Sequence, residues 1–199
     1  MLALRQRGFT LIEVMITVAI VAILVLIALP NFTAWMQNLQ VRNTAESVLN
    51  GVQVARTEAV RRNRSVQFSL TGTADWQVRI VQPPALQAGD PDPVQQRSAA
   101  EGGKTSIASA YDNTGATATT VTFNGMGWVT GNTDSSASIL RIDVTSASGL
   151  NAAKGVRALR VIIGPGLGGS IRMCDPADIN TTPALPTGDA RICPVIPGT

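Results

Sequence analysis

The sequence contains no histidine. That excludes Ser-His-Asp and Cys-His catalysis, and any metal centre that needs imidazole. Cysteine is almost as scarce, with only Cys174 and Cys193, both within the last 26 residues. Two cysteines alone cannot build a structural zinc site. Charged residues make up 15% and aromatics 4% of the 199 residues. So little charge, with much Gly, Ser, Thr and Ala, argues against a disordered chain and fits a β-rich extracytoplasmic domain. The net charge is +3, but Arg5 and Arg7 stand ahead of an apolar run; without them, 14 basic residues face 13 acidic ones. The high pI is therefore weak support for a nucleic-acid partner.

What the chain does have is one long apolar segment. Phe9 to Leu29 reads FTLIEVMITVAIVAILVLIAL, a stretch that spans about 31 Å as a helix and is enough to cross a bilayer core. Arg5 and Arg7 precede it, so the positive-inside rule leaves the amino terminus in the cytoplasm and sends the remainder outward. A cleaved secretory signal has a shorter apolar core and ends in a small-x-small site. Here the run passes into Ala28-Leu29-Pro30-Asn31 and the helical pattern continues, with a kink expected at Pro30. The segment reads as a membrane anchor.

Glu13 interrupts that run, and a carboxylate in an apolar span costs a few kcal/mol unless it is paired or reaches the interface. Two roles are open to it. It can lie in the first helical turn, where the helix dipole favours an acid. Alternatively, cleavage after Gly8 would give Phe9 a new α-amino group, and Glu13 could pair with that amine on a neighbouring subunit.

Gly8-Phe9-Thr10-Leu11-Ile12-Glu13 followed by an apolar run resembles the class III signal of type IV prepilins and type II secretion pseudopilins. The resemblance implies cleavage between Gly8 and Phe9 by a prepilin peptidase, N-methylation of Phe9 and a part for Glu13 in subunit docking. It also implies a type IV pilin-like α+β fold, in which a long helix packs on an antiparallel β-sheet head. The expected organisation is a leader over 1–8, a transmembrane and assembly helix over 9–30, an amphipathic helix over 31–64 and a β-rich head over 65–199.

Val41, Ala45, Val48, Leu49, Val52, Ala55 and Ala59 recur with helical spacing, whereas Arg42, Glu46, Asn50, Gln53 and Thr57 fall elsewhere. This predicts one helix to about Arg62 whose apolar face meets a sheet. Arg56, Arg61, Arg62 and Arg64 crowd its end. They read either as a nucleic-acid patch or as cations placed at a helix carboxy terminus, and the lack of interleaved aromatics favours the second. The string 56–64, Arg-Thr-Glu-Ala-Val-Arg-Arg-Asn-Arg, resembles the corresponding helix end in the GspH/FimT/FimU group of minor pilins and pseudopilins.

The rest is strand-like. Val66, Phe68 and Leu70 alternate with polar residues, as do Trp76, Val78 and Ile80 after Gly72, which predicts a hairpin. Residues 82–116, rich in Pro, Gly, Ala and Asp, read as a long loop. A second hairpin turns at Asn124-Gly125 between Phe123 and Val129. Leu140, Ile142 and Val144 mark a further strand, and 156–163 and 169–173 flank a turn at Gly164-Pro165-Gly166. Six or seven strands are expected. The glycine-rich 164–169 run lacks the Gly-Lys-Ser/Thr ending of a phosphate loop, and the loop acids Asp90, Asp92, Asp134, Asp175 and Asp178 lack calcium-loop spacing. No catalytic constellation, cofactor site or metal site is expected.

Phe-Asn-Gly-Met-Gly-Trp-Val at 123–129 resembles the Phe-x-x-x-Gly-x-x signature of the same group. Met173-Cys174-Asp175-Pro176, with Arg191-Ile192-Cys193-Pro194, resembles its cysteine-bearing FimT/FimU branch. Downstream of a membrane segment, Cys174 and Cys193 point to one disulfide in an oxidising compartment, with two cytosolic thiols as the alternative. The resemblance implies a minor pilin of a type IV pilus, with an H-type pseudopilin of a type II secretion system as its rival. Either would be anchored in the bacterial inner membrane with a periplasmic head, before joining a filament. Its partners would be other pilins or pseudopilins, prepilin peptidase and the inner-membrane assembly machinery. A DNA-binding pilin is a third reading, because Lys154, Arg157, Arg160 and Arg172 form an acid-free basic stretch, with Arg191 in the tail. DNA-binding FimT-like proteins carry paired arginines after a glycine; here Gly188-Asp189-Ala190-Arg191 offers one arginine beside an acid.

Overall fold

The computed structural model describes residues 9–81, 86–87, 89–98, 106–164, 170–176, 189 and 191–194. The leader 1–8 and the 165–169 turn lie outside the described residues, as do Gly8, Asp178 and Gly188.

Helix α1 runs without interruption from Leu11 to Arg62 and continues through Pro30. At the standard rise its 52 residues extend for roughly 78 Å. It begins at Thr10 and ends at Asn63, whose left-handed conformation (φ 49°, ψ 41°) turns its N–H back onto the carbonyls of Ala59 and Val60. Its first half is exposed at every residue from 11 to 29. Its second half buries the expected stripe: Val41, Ala45, Val48, Val52, Ala55 and Ala59 are each fully buried.

Two antiparallel sheets receive that stripe. The first comprises β1 (Val66–Leu70), β2 (Trp76–Ile80), β3 (Gln95–Arg97), β5 (Thr120–Phe123) and β6 (Val129–Thr130), in the order β3-β2-β1-β5-β6. The second comprises β4 (Ser106–Tyr111), β7 (Arg141–Ser146), β8 (Leu159–Ile163) and β9 (Ile171–Cys174), in the order β4-β7-β8-β9. A single 3-10 turn, Ala152–Lys154, sits between β7 and β8. One continuous core joins the helix to both sheets, through Phe68, Trp76, Val78, Val121 and Phe123 on one and Ile142, Val144, Val161 and Ile163 on the other. The helix approaches the first sheet closely at Gly51, where an added Cβ would lie 2.9 Å from the Phe68 ring and 3.0 Å from the Trp76 indole. The Trp76 indole N–H donates to Ser47 Oγ at 2.9 Å, so the large ring is buried without an orphaned donor.

The three expected hairpins form, and in them Phe68 pairs with Val78, Phe123 with Val129 and Val161 with Met173. The expectation of a strandless 82–116 is corrected, because that segment supplies β3 at the edge of the first sheet and β4 at the edge of the second. Nine strands are therefore present among the described residues. Cys174 and Cys193 are joined by a disulfide, with Cα atoms 5.0 Å apart. The tail around Cys193 also hydrogen-bonds to Asp175: Asp175 N–H donates to Arg191 O at 2.6 Å and Cys193 N–H to Asp175 O at 2.9 Å. Closing a loop with a separation of 19 residues contributes on the order of 3 kcal/mol through restriction of the unfolded chain.

Candidate assembly site

The amino-terminal end of α1 is a capping box. Thr10 Oγ1 accepts the Glu13 backbone N–H at 3.3 Å, and Glu13 Oε2 accepts the Thr10 N–H at 3.5 Å. Two otherwise unpaired donors of the first turn are satisfied in this way, and the acid sits where the helix dipole favours it. The sequence carries the signal as Thr-x-x-Glu at 10–13, and the cap is the form that the first-turn role of Glu13 takes. Phe9 is 81% exposed just ahead of it. From here to Leu29 the helix is apolar and exposed on all sides in the isolated chain. By length and composition it is long and apolar enough to cross a membrane. Such a surface is stable in water only when other apolar matter covers it.

At the other end of α1, Arg61, Arg62 and Arg64 are arranged in ion pairs. Arg61 and Arg62 both hold Glu58, at 2.6 and 2.8 Å. Arg62 and Arg64 both hold Asp90, at 2.7 and 2.8 Å. Hydrogen bonding from Arg61, with that from Arg62, lowers the Glu58 carboxyl from its ordinary value. The Gln87 backbone N–H, with the Arg64 and Arg62 charges, lowers that of Asp90. The cluster ties the helix end to Asp90 and, through it, to Gln87, which supports the structural reading of these cations.

The 123–129 motif has a packing reason in the same region. An added Cβ at Gly125 would run into Asn63 Oδ1 and approach the Asn63 backbone to 3.0 Å. Gly127, at φ +77°, would bring a Cβ within 3.0 Å of Val60 and 3.2 Å of Arg56. The β5–β6 turn thus closes over the helix C-cap at a distance only glycine permits.

The basic residues expected on the last hairpin do not form one surface. Arg160 is buried, and its guanidinium grips both oxygens of Asp143, its cross-strand partner in β7. This corrects the expectation that it is available to DNA: the acid lies far away in sequence and directly opposite in register. Arg157 holds Asp175 at 3.0 Å. Arg191 holds Asp189 at 2.7 Å, and hydrogen bonding from Arg191 lowers the Asp189 carboxyl to about 2. Lys154 and Arg172 are exposed, Lys154 beside the stalk near Ala34 and Arg172 on β9.

The family model described as Type II transport protein GspH matches residues 44–167, and the prokaryotic N-terminal methylation motif matches residues 4–29. Among solved structures, two crystal forms of the Pseudomonas aeruginosa (strain PAO1) type IV minor pilin FimU are similar to the chain. They are 15% and 16% identical, cover 69% of this chain and 90% and 94% of their own, and give TM-scores of 0.44 and 0.42. With the family match extending over more than half of its length, through the helix stripe, the arginine cluster and the glycine motif, the chain belongs to the GspH family of structural, non-enzymatic pilin-like proteins.

Proposed function

We propose that the chain is a minor pilin of a type IV pilus, a subunit that primes or joins filament assembly. The observation that carries this reading is the 11–29 half of α1, apolar and exposed on every side, with Glu13 capping its amino-terminal end. A single span needs no carboxylate there, whereas a bundle of identical helix ends gives the acid a partner in each neighbour's new Phe9 amine. On this reading 1–8 is a leader removed by prepilin peptidase between Gly8 and Phe9, and Phe9 is N-methylated. Residues 9–30 then hold the subunit in the inner membrane until they pack into the filament. Residues 31–64 join this helix to the 65–199 head, which faces the periplasm. Its partners are other pilins and the inner-membrane assembly machinery.

A pseudopilin of a type II secretion system is the second reading, favoured by the type II transport description of the matching family. A deletion strain separates the two: loss of surface pili with normal protein secretion supports the pilus, and the reverse supports the secretion system. DNA reception is the weakest reading, since Arg157, Arg160 and Arg191 are already held by Asp175, Asp143 and Asp189.

A further inference from the structure

Where α1 leaves its apolar half it meets the head at a groove of about 640 Å³, lined among others by Asn31, Ala34, Trp35, Asn38, Leu150 and Lys154. The head side of this groove is the Ala152–Lys154 turn with its flanks. Asn38 fixes the turn's height along the helix: its Nδ2 donates to Gly155 O at 2.7 Å, and its Oδ1 accepts the Arg157 N–H at 2.9 Å. Gly155 itself lies against Ala34, whose Cβ would be 3.8 Å from an added Cβ.

That height is set relative to the apolar span. Asn31 lies about 3 Å and Ala34 about 7.5 Å beyond Leu29 along the helix axis, and the headgroup layer on each side of a bilayer core is roughly 5–7 Å deep. The groove therefore begins within the headgroup layer at Asn31 and opens at its outer edge at Ala34 and Trp35. Its chemistry suits that position. Phe32 and Trp35, both more than half exposed, form a tilted pair with centroids 5.9 Å apart, in the place where interfacial aromatics concentrate. Lys154 is exposed, Leu150 is half-buried, and no carboxylate lines the groove among the described residues.

We propose that this groove seats the headgroup of an anionic phospholipid, fixing the head's height and tilt on the membrane before the stalk enters a filament. Lys154 faces the phosphate, with Trp35 and Leu150 against the headgroup, while the Asn31 amide, nearest the hydrocarbon core, meets the glycerol ester oxygens. The proposal rests on the reading above that residues 9–30 occupy the bilayer.

The test places the full-length chain in nanodiscs of phosphatidylcholine doped with phosphatidylglycerol and counts, by native mass spectrometry, the lipids that leave with it. Wild-type protein should retain phosphatidylglycerol in preference to phosphatidylcholine. Lys154→Ala should lower that retention about fivefold, as expected for one basic side chain at a charged surface, and Lys154→Arg should restore it. Arg172→Ala is the control, because its neighbour Ile171 lies beside Val60 and Arg61, far along the helix from the groove. Unchanged retention in Lys154→Ala, or an equal loss in Arg172→Ala, would overturn the headgroup site while leaving the membrane span intact. A chain that does not enter the discs would remove the membrane reading, and this proposal with it.

Discussion

Glu13 and Thr10 close the first turn of α1 reciprocally, each side chain accepting the other's backbone N–H. The pair holds the Glu13 carboxylate toward the end of the helix at which cleavage after Gly8 would leave a charged amine. A cap needs an acceptor and not a charge, so glutamine serves equally well in this position. The two roles of Glu13 therefore separate in one substitution.

Glu13→Gln should keep the cap, insert in the membrane and be processed, yet enter filaments as poorly as Glu13→Ala. Comparing variant and wild-type protein in sheared filaments and in membranes measures this. Incorporation of Glu13→Gln at the wild-type level would leave Glu13 as a capping residue alone.

Gly125 and Asn63 make a second close relationship. Gly125→Ala should destabilise the head by about 1–3 kcal/mol, the usual cost of forcing extra atoms into a packed contact. Gly131→Ala, a change into open space, should be close to neutral. Denaturant unfolding of the two variants side by side checks the difference.

Removing one half of the buried Arg160–Asp143 pair should be more damaging. Arg160→Met leaves the buried Asp143 with only the more distant Arg141, at 3.8 Å, so the expected cost lies toward the lower end of about 3–5 kcal/mol. Arg160→Met combined with Asp143→Leu should recover most of that loss. A double variant no more stable than Arg160→Met would mean that the pair itself, and not its desolvated remainder, holds β7 to β8.

These contacts also explain what the sequence discloses. The stalk was fully legible because Val41 to Ala59 repeat at helical spacing and every member of the stripe except the partly buried Leu49 reaches zero exposure. The hairpins were legible because large apolar residues alternate in β1, β2 and β5. β4 was hidden by an inverted pattern: its inward side is Ser106, Ala108 and Ala110, while Ile107 and Tyr111 point outward. Alternation carried by small residues has little hydropathic contrast. β3, Gln-Gln-Arg at a sheet edge, has none. Arg160 looked available because its partner sits on another strand, and cross-strand register is not written in the local sequence.

Acid should loosen the far end of the helix. Glu58 and Asp90 both have carboxyls lowered from their ordinary values. A lowered folded pKa gives stability that is present above the unfolded pKa and lost as pH falls through the folded one. Melting temperature should therefore be flat above about pH 5 and decline below it. Asp90→Asn should shrink that decline; an identical pH profile in the variant would show that the Asp90 cluster does not contribute.

Intact-mass analysis of the protein recovered from sheared surface filaments shows whether this chain is processed as a pilin and built into a filament. The recovered chain should begin at Phe9, carry one added methyl group and retain the Cys174–Cys193 disulfide. A chain beginning near Asn31, or one that still carries residues 1–8, would contradict this expectation.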